Sequence, residues 1–331
     1  MSSSTLVIQT AFLGDVVLTT PLLSALAALH GPVDVVTTPV AAPLLETHPA
    51  VRTVIPYDKR GTDRGWGGVR NLARRLKGER YARAYLPHRS LRTAALAFLA
   101  RIPTRIGFAG GWSFFYTEAR PKPRTGHETD RLMALADDAS GVYPPQLRPT
   151  AADEQAAALI EGAFVALAPG SIWGSKRWPY YSELAAKLAA RLPVVLVGGP
   201  DDAGLGDEIV KAVGRSGGRA VNACGKLTLR QSAALIGRAS ALVTNDSAPL
   251  HLATAMGTPV VALFGPTVTE FGFGPVRAGD VALGIDGLQC RPCSSHGPPR
   301  CPLGHHRCMR ELTVPAVFAA IEELGALRRR G

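Results

Sequence analysis

Residues 239–267 read Ala-Ser-Ala-Leu-Val-Thr-Asn-Asp-Ser-Ala-Pro-Leu-His-Leu-Ala-Thr-Ala-Met-Gly-Thr-Pro-Val-Val-Ala-Leu-Phe-Gly-Pro-Thr. The apolar run 241–243 predicts a buried strand. It gives way to Thr244, Asn245, Asp246 and Ser247, side chains suited to capping a helix, and Pro249 falls in a first turn that tolerates a missing N–H. The helix is expected to run to about Met256 and stop at Gly257. A second strand, 260–264, breaks at Gly265-Pro266-Thr267. Such a unit aims free backbone N–H groups, and the positive end of a helix, at the carboxyl edge of a parallel sheet, where phosphates bind. His251 lies four residues after Ser247, so both are expected on the same side of the helix near that crevice.

The alternation continues outward. Strands are expected at 164–168, 194–197 and near Ala220, with helices at 180–191, 205–213 and 229–237. In the first half the strands are 6–9, 33–37, 51–55 and 81–86, and the helices are 16–29, 66–77 and 91–100. Strands alternating with helices imply parallel sheets with right-handed crossovers. Residues 110–149, rich in Pro, Gly and Arg with one helix expected at 128–138, read as a boundary segment. The chain of 331 residues is thus expected to be α/β, with two Rossmann-like, doubly wound domains, 1–155 and 156–312, facing a central cleft. A last helix within 313–331 could pack back across both. Neither half carries Gly-x-Gly-x-x-Gly after its first strand, which argues against a nicotinamide dehydrogenase.

Hydrophobic residues make up 46% and charged residues 19%, enough to bury two cores and to exclude wholesale disorder. No apolar run approaches the ~20 residues that cross a bilayer, and no basic segment precedes the first apolar one. A cytoplasmic chain is the expectation. The net charge of +11 is concentrated: from Arg52 to Arg105 there are fourteen Lys or Arg against Asp58, Asp63 and Glu79, so the remainder is neutral overall. That placement suggests an anionic partner for the first half, such as a lipid head group or a phosphorylated saccharide. A solvated arginine-rich surface is the alternative. The aromatic interleaving of a single-strand nucleic-acid binder is missing.

Two further loops carry chemistry. Gly14-Asp15 opens a helix directly after a strand, where a carboxylate can act as a general base or cap the helix. In the loop 168–179, glycines allow close backbone approach, and Ser171, Ser175, Lys176 and Arg177 supply donors and charge for a diphosphate leaving group. Its glycine spacing is not that of a Walker loop. Cys290, Cys293, Cys301 and Cys308 cluster with His296, His305 and His306. A structural zinc, reduced thiols and disulfides are all compatible with this spacing, and a cytosolic setting disfavours the last. Cys224 reads as a buried small hydrophobe, and His30 and His48 as surface residues near helix ends.

These motifs together resemble one family. Phe12-Leu13-Gly14-Asp15-Val16-Val17-Leu18-Thr19-Thr20-Pro21 is similar to the N-terminal motif of the heptosyltransferases of glycosyltransferase family 9. Pro169-Gly170-Ser171 through Lys176-Arg177-Trp178-Pro179 resembles their donor-phosphate loop. Thr244-Asn245-Asp246-Ser247 with His251 and Gly265-Pro266-Thr267 resembles their nucleotide-sugar signature. Leu86-Pro87-His88-Arg89-Ser90 and Cys301-Pro302-Leu303-Gly304-His305-His306 are similar to the heptosyltransferase II subgroup. The resemblance implies a GT-B fold with acceptor in the first domain and donor in the second. It implies ADP-L-glycero-D-manno-heptose as donor and an anionic lipopolysaccharide inner core as acceptor, reached by peripheral contact with the inner membrane, with no nucleic acid involved. Asp15 becomes the base, Lys176 a catalytic and donor-binding cation, and Ser171, Ser175, Asp246, Ser247, His251 and Thr267 the rest of the donor site. His88, Arg89 and Arg92 are expected to meet the acceptor. Transfer would invert the anomeric centre in one displacement, with no cofactor required. Where the family has Gly after Asp-Ser, this chain has Ala248, whose methyl group could crowd a close approach. The alternatives are a family 9 transferase using another nucleotide-activated sugar, or a non-catalytic module that binds nucleotide sugars or nucleic acid.

Overall fold

Short runs of Val, Leu, Ile and Ala become the strands of two parallel sheets in the structure, a computed structural model that describes residues 4–136 and 140–327. Ser2, Ser3, residues 137–139, including the expected end of the 128–138 helix, and residues 328–331 lie outside the described residues. In the first unit the strands are β1 (Thr5–Ile8), β2 (Val33–Thr37), β3 (Val51–Pro56), β4 (Arg83–Leu86), β5 (Thr104–Phe108) and β6 (Glu118–Arg120), ordered β3-β2-β1-β4-β5-β6. In the second they are β7 (Val165–Ala168), β8 (Val194–Leu196), β9 (Ala220–Asn222), β10 (Ala241–Asn245), β11 (Val260–Phe264) and β12 (Val281–Gly284), ordered β12-β11-β10-β7-β8-β9. Each unit therefore has the 3-2-1-4-5-6 order of a doubly wound fold. Ligands bind such sheets at the carboxyl ends of the two central strands where the order reverses: β1 and β4 in one unit, β7 and β10 in the other. Leu6, Val7, Ile8, Leu242 and Val243 have no exposed surface, because helices cover both faces of a parallel sheet.

Differences from the sequence expectations have local causes. The single helix expected over 16–29 is two, Leu13–Leu18 and Thr20–His30. The Thr19 N–H returns to the Asp15 and Val16 carbonyls at 3.0 and 3.2 Å, the Thr20 hydroxyl bonds the Val17 carbonyl at 2.7 Å, and Pro21 brings no N–H to continue the ladder. Counted together, Leu13–His30 is an 18-residue helical stretch of mean hydropathy 1.4, long and apolar enough to cross a membrane, contrary to expectation. It is 61% buried within the protein, with Leu22, Leu23 and Leu26 wholly in the core. The edge strands β6 and β12 were not expected; they are short and partly exposed, so neither shows a sustained apolar run. His48, expected at the surface, is buried, and its Nδ1 accepts the Ala50 N–H at 3.2 Å.

The units meet in sequence between Arg148 and Pro149, seven residues before the expected boundary. The helix Ala151–Ala156 belongs with the second unit because its buried Asp153 pairs with Arg230 at 2.6 Å. The last helix, Val314–Glu323, packs on the helix Tyr181–Ala189 and on β11 of that same unit. The Lys187 ammonium lies 4.3 Å from the Phe318 ring centre.

Candidate active site

In the first unit, a carboxylate after one strand shares a sheet edge with basic side chains from three other strand ends. Asp15 follows β1 in the first turn of the helix Leu13–Leu18, and its Oδ2 accepts the Phe12 N–H at 3.1 Å. Burial pushes its pKa up to about 6, and the neighbouring Glu128 carboxylate adds to the rise; the Phe12 N–H and the Lys122 ammonium oppose it. Glu128 is itself buried, paired with Lys122 at 2.5 Å and Arg131 at 3.7 Å. Beyond β3, Lys59 donates to the Thr10 carbonyl at 2.5 Å. Past β4, His88 is half-buried, and burial, then the Lys59 and Lys122 charges, lower its pKa, favouring neutral imidazole. Its buried Nδ1 has no hydrogen-bond partner among the described residues. Arg89 and Arg92 are exposed, and Arg92 is close enough to help lower the pKa of Lys59. Asp15, Lys59, His88 and Lys122 thus follow β1, β3, β4 and β6 at a single sheet edge.

The second unit answers with a buried ion pair across its switch point. Lys176, from the loop after β7, places Nζ 2.6 Å from Asp246 Oδ2 at the end of β10, and the two side chains are 9% and 10% exposed. The Thr267 hydroxyl, beyond β11, donates to the same Oδ2 at 2.6 Å. Asn245 ties the loops further: its Nδ2 donates to the Pro169 and Gly170 carbonyls at 2.9 and 3.2 Å, and its Oδ1 accepts the Trp178 N–H at 3.2 Å. Ser247 precedes the helix Ala248–Met256 without a side-chain cap; the Leu250 N–H returns to the Ser247 carbonyl at 3.0 Å and Pro249 has none, so the positive end of the helix is offered to an anion through the Ala248 N–H. Ala248 is the first helical residue, a conformation that alanine adopts freely. Ser171 Oγ accepts the Trp173 N–H at 3.2 Å, turning the loop on itself. His251 is buried one turn beyond Ser247, packed edge-to-face on Phe273 at 6.3 Å.

Residues 69–301 match the family described as glycosyltransferase family 9 (heptosyltransferase). Lipopolysaccharide heptosyltransferase 2 of Salmonella typhimurium is 30% identical over 319 residues, covering 84% of this chain and 92% of that protein. The chain belongs to glycosyltransferase family 9. Among solved structures, E. coli ADP-heptose lps heptosyltransferase II superposes with a TM-score of 0.80 at 27% identity, covering 97% of this chain and 98% of that one. A family 9 glycosyl transferase from Veillonella parvula, 24% identical, shares the fold with a TM-score of 0.86 over 98% and 97% of the two chains. The two doubly wound units are those of a GT-B fold.

Several side chains of this family 9 transferase stand differently from the sequence expectation. Ser175, expected to bind donor, is buried and its hydroxyl donates to the Pro298 carbonyl, while its own carbonyl meets His306 Nε2 at 2.7 Å. It joins the loop after β7 to the cysteine-bearing segment. The five cysteines are free thiols, and among the described residues no group of three or more His, Cys, Asp or Glu is placed to hold a metal ion. A structural zinc, one of the three readings left open for Cys290, Cys293, Cys301 and Cys308, draws no support from that grouping: Cys308 sits in the hydrophobic core beside Met309, and Cys293 Sγ bonds the Cys290 carbonyl at 3.3 Å. Burial, then the nearby cysteines, pushes the Cys308 thiol up to about 11, so the free thiol stays protonated at neutral pH. Lys59, Lys122, Glu128 and Asn245 were not singled out from sequence. Asn245 stood inside the decisive motif, whereas Lys122 and Glu128 lay in the segment read as a boundary.

Asp15 sets a pH dependence. Its folded pKa of about 6 exceeds the ordinary 3.8, so folding opposes ionisation; the contribution to stability is complete below the ordinary value and is lost as pH rises through the folded one. Asp15→Asn, which can still accept the Phe12 N–H, should raise Tm above wild type at pH 8 and leave it unchanged near pH 3.5. In pH profiles of acceptor kcat/KM, the acidic limb should fall near pH 6 and move to lower pH in Glu128→Gln. A limb unmoved by Glu128→Gln would remove that carboxylate from the site's electrostatics.

The ion pair separates stability from chemistry. Lys176→Met should destabilise by ~3–5 kcal/mol, the cost of stranding a buried partner charge, as read by urea unfolding. Adding Asp246→Leu should recover most of that stability. Turnover should stay depressed by ~10²–10³ in the double variant, the usual loss of one electrostatic donor at a transition state. Recovered turnover would make the pair structural only.

Proposed function

We propose that this family 9 transferase moves L-glycero-D-manno-heptose from ADP-heptose to the inner core of lipopolysaccharide, with inversion at the anomeric carbon. The observation that carries the assignment is the match to a lipopolysaccharide heptosyltransferase 2 along most of both chains. The chemistry of the two sheet edges supports it. Asp15 takes the proton of an acceptor hydroxyl as that oxygen attacks the anomeric carbon; the bond from that carbon to the diphosphate breaks, and ADP leaves. A carboxylate with a pKa of about 6 is largely ionised at neutral pH yet basic enough to share a proton in the transition state. Lys59, His88, Arg89, Arg92 and Lys122 present donors and positive charge to the phosphates of an anionic core. Lys176, held by Asp246 and Thr267, and the positive end of the helix Ala248–Met256 stabilise the growing charge on the leaving diphosphate, with Ser171 and Ser247 beside them. On this reading the enzyme works in the cytoplasm, at the inner face of the cytoplasmic membrane.

Purified protein should convert ADP-heptose and a heptose-deficient core oligosaccharide to ADP and a product one heptose heavier by mass spectrometry. GDP-mannose and UDP-glucose should not replace the donor. Asp15→Asn should bind ADP-heptose normally by calorimetry and lose ~10²–10⁴ in kcat, the range of a removed general base. A higher kcat/KM with another nucleotide sugar would reassign the donor, and retention of more than about a tenth of wild-type turnover, outside that range, would reduce Asp15 to a cap.

A further inference from the structure

The first unit carries an aromatic ladder that none of this chemistry uses. The Phe98 and Phe115 rings meet edge-to-face at 5.4 Å, Phe115 and Phe114 lie at 4.2 Å, and Phe114 meets Trp112 edge-to-face at 6.4 Å. Phe98 lies in the helix Leu91–Leu99, and the other three follow β5 on the connection to β6. The ladder is fixed from below: the Arg105 guanidinium lies 5.6 Å from the Phe98 ring centre and donates to the Phe115 carbonyl at 2.7 Å. Its outer members are open to solvent, with Phe114 70%, Phe98 49% and Trp112 39% exposed. Soluble surfaces rarely group large apolar side chains in this way without a use for them.

The charge around the ladder is predominantly positive, with Glu79 and the Arg120-paired Glu118 as the acidic exceptions. The helix Gly65–Gly78 buries Val69, Leu72, Ala73 and Leu76 in the same core cluster as Leu96 and Ala97 of the helix Leu91–Leu99, so the outer faces of the two helices are neighbours. The exposed side of Gly65–Gly78 carries Arg70, Arg74, Arg75 and Lys77, and Arg101 follows the helix of Phe98. Among the described residues, none of these five is ion-paired to a carboxylate. Trp and Phe rings beside a field of Arg and Lys are the composition of interfacial membrane contacts, the rings entering the head-group layer and the cations meeting anionic lipid. A stacking platform for nucleic acid needs open ring faces, whereas these rings pack on one another, two contacts edge-to-face and Phe114 tilted against Phe115.

We propose that this face docks the transferase on an anionic lipid bilayer, with Trp112, Phe114 and Phe98 inserted at the interface and Arg70, Arg74 and Arg101 against the head groups. The inference rests on the proposed lipid-borne acceptor, and it explains why the cationic excess extends well beyond the residues around Asp15.

Co-sedimentation with vesicles tests it without any nucleotide sugar. The full chain should bind phosphatidylglycerol–phosphatidylethanolamine vesicles, release at high salt, and bind phosphatidylcholine vesicles weakly. W112S/F114S and R70E/R74E should each lower partitioning onto the anionic vesicles at least tenfold, with Tm unchanged because all four positions are exposed. W112S/F114S should keep wild-type kcat/KM on an acyl-free core oligosaccharide and lose it on an acceptor embedded in vesicles. Undiminished vesicle binding by both variants would overturn the proposal. So would equal binding to phosphatidylcholine, a dimer in solution that W112S/F114S dissolves, or single-stranded DNA that displaces the vesicles. Wild-type vesicle binding without heptose transfer would leave the docking face standing and overturn the substrate reading. Heptose transfer without vesicle binding would do the reverse.

Discussion

A lysine and an aspartate, both nearly removed from water, hold the second unit's working edge together. Neither charge is tolerable there alone, since desolvation costs several kcal/mol per ion even after relaxation. Their 2.6 Å contact joins positions 70 residues apart in sequence, and it exists because β7 and β10 are neighbours. Strand order therefore comes first and the ion pair second. Asn245 repeats the connection with neutral groups, bonding the Pro169 and Gly170 carbonyls from the end of β10, so the loop is held on both sides of the charge. A cation fixed in this way needs little reorganisation when negative charge develops beside it, which is the condition under which an electrostatic donor accelerates a reaction most.

The first unit uses the same strand order to the opposite end. There, among the described residues, the carboxylate at the switch point is not ion-paired within hydrogen-bond distance; burial and Glu128 leave it with a pKa of about 6. Asp246 has a cation and a hydroxyl on one oxygen and is occupied. Asp15 accepts a single backbone N–H and is left basic. Glu128 adds to what burial sets. Its pairing with Lys122 and Arg131 lets a second buried carboxylate stand close to the first, and the surrounding cations keep that arrangement from repelling an anionic substrate.

What the sequence disclosed follows from how local each feature is. Residues 239–267 were legible because strand, cap, proline and terminal glycine are read within a few positions, and the helix Ala248–Met256 with Gly257 in a left-handed cap is what those residues dictate. The family motifs marked Asp15, Lys176 and Asp246. They could not disclose that the last two touch, which depends on a sheet neighbour far away in sequence. Ser175 illustrates the converse: a serine among glycines reads as a ligand donor, yet a carbonyl more than a hundred residues away takes its hydroxyl. Glu128 was hidden because its helix stands in a stretch rich in Pro, Gly and Arg, and the aromatic ladder because Phe98 and residues 112–115 share no periodic pattern. The cysteines show the same limit: spacing counts them but not their directions, and Cys308 turns into the core.

The glycines of the donor loop acquire a different meaning once the cysteine-bearing segment is in place. A β-carbon at Gly170 would sit 2.2 Å from Asp202 Oδ1, and one at Gly174 would sit 2.6 Å from the Pro299 carbonyl oxygen. Gly297, at a φ of +79°, leaves room where a β-carbon would lie 3.3 Å from Lys176 Cε. These positions are small because protein packs against protein there, so an approaching phosphate is not needed to explain them. Arg291 completes the support by donating to the Phe264 and Thr267 carbonyls at 3.2 and 3.0 Å, fixing the turn that carries the Thr267 hydroxyl onto Asp246. Residues 291–306 thus brace the loop that carries Lys176.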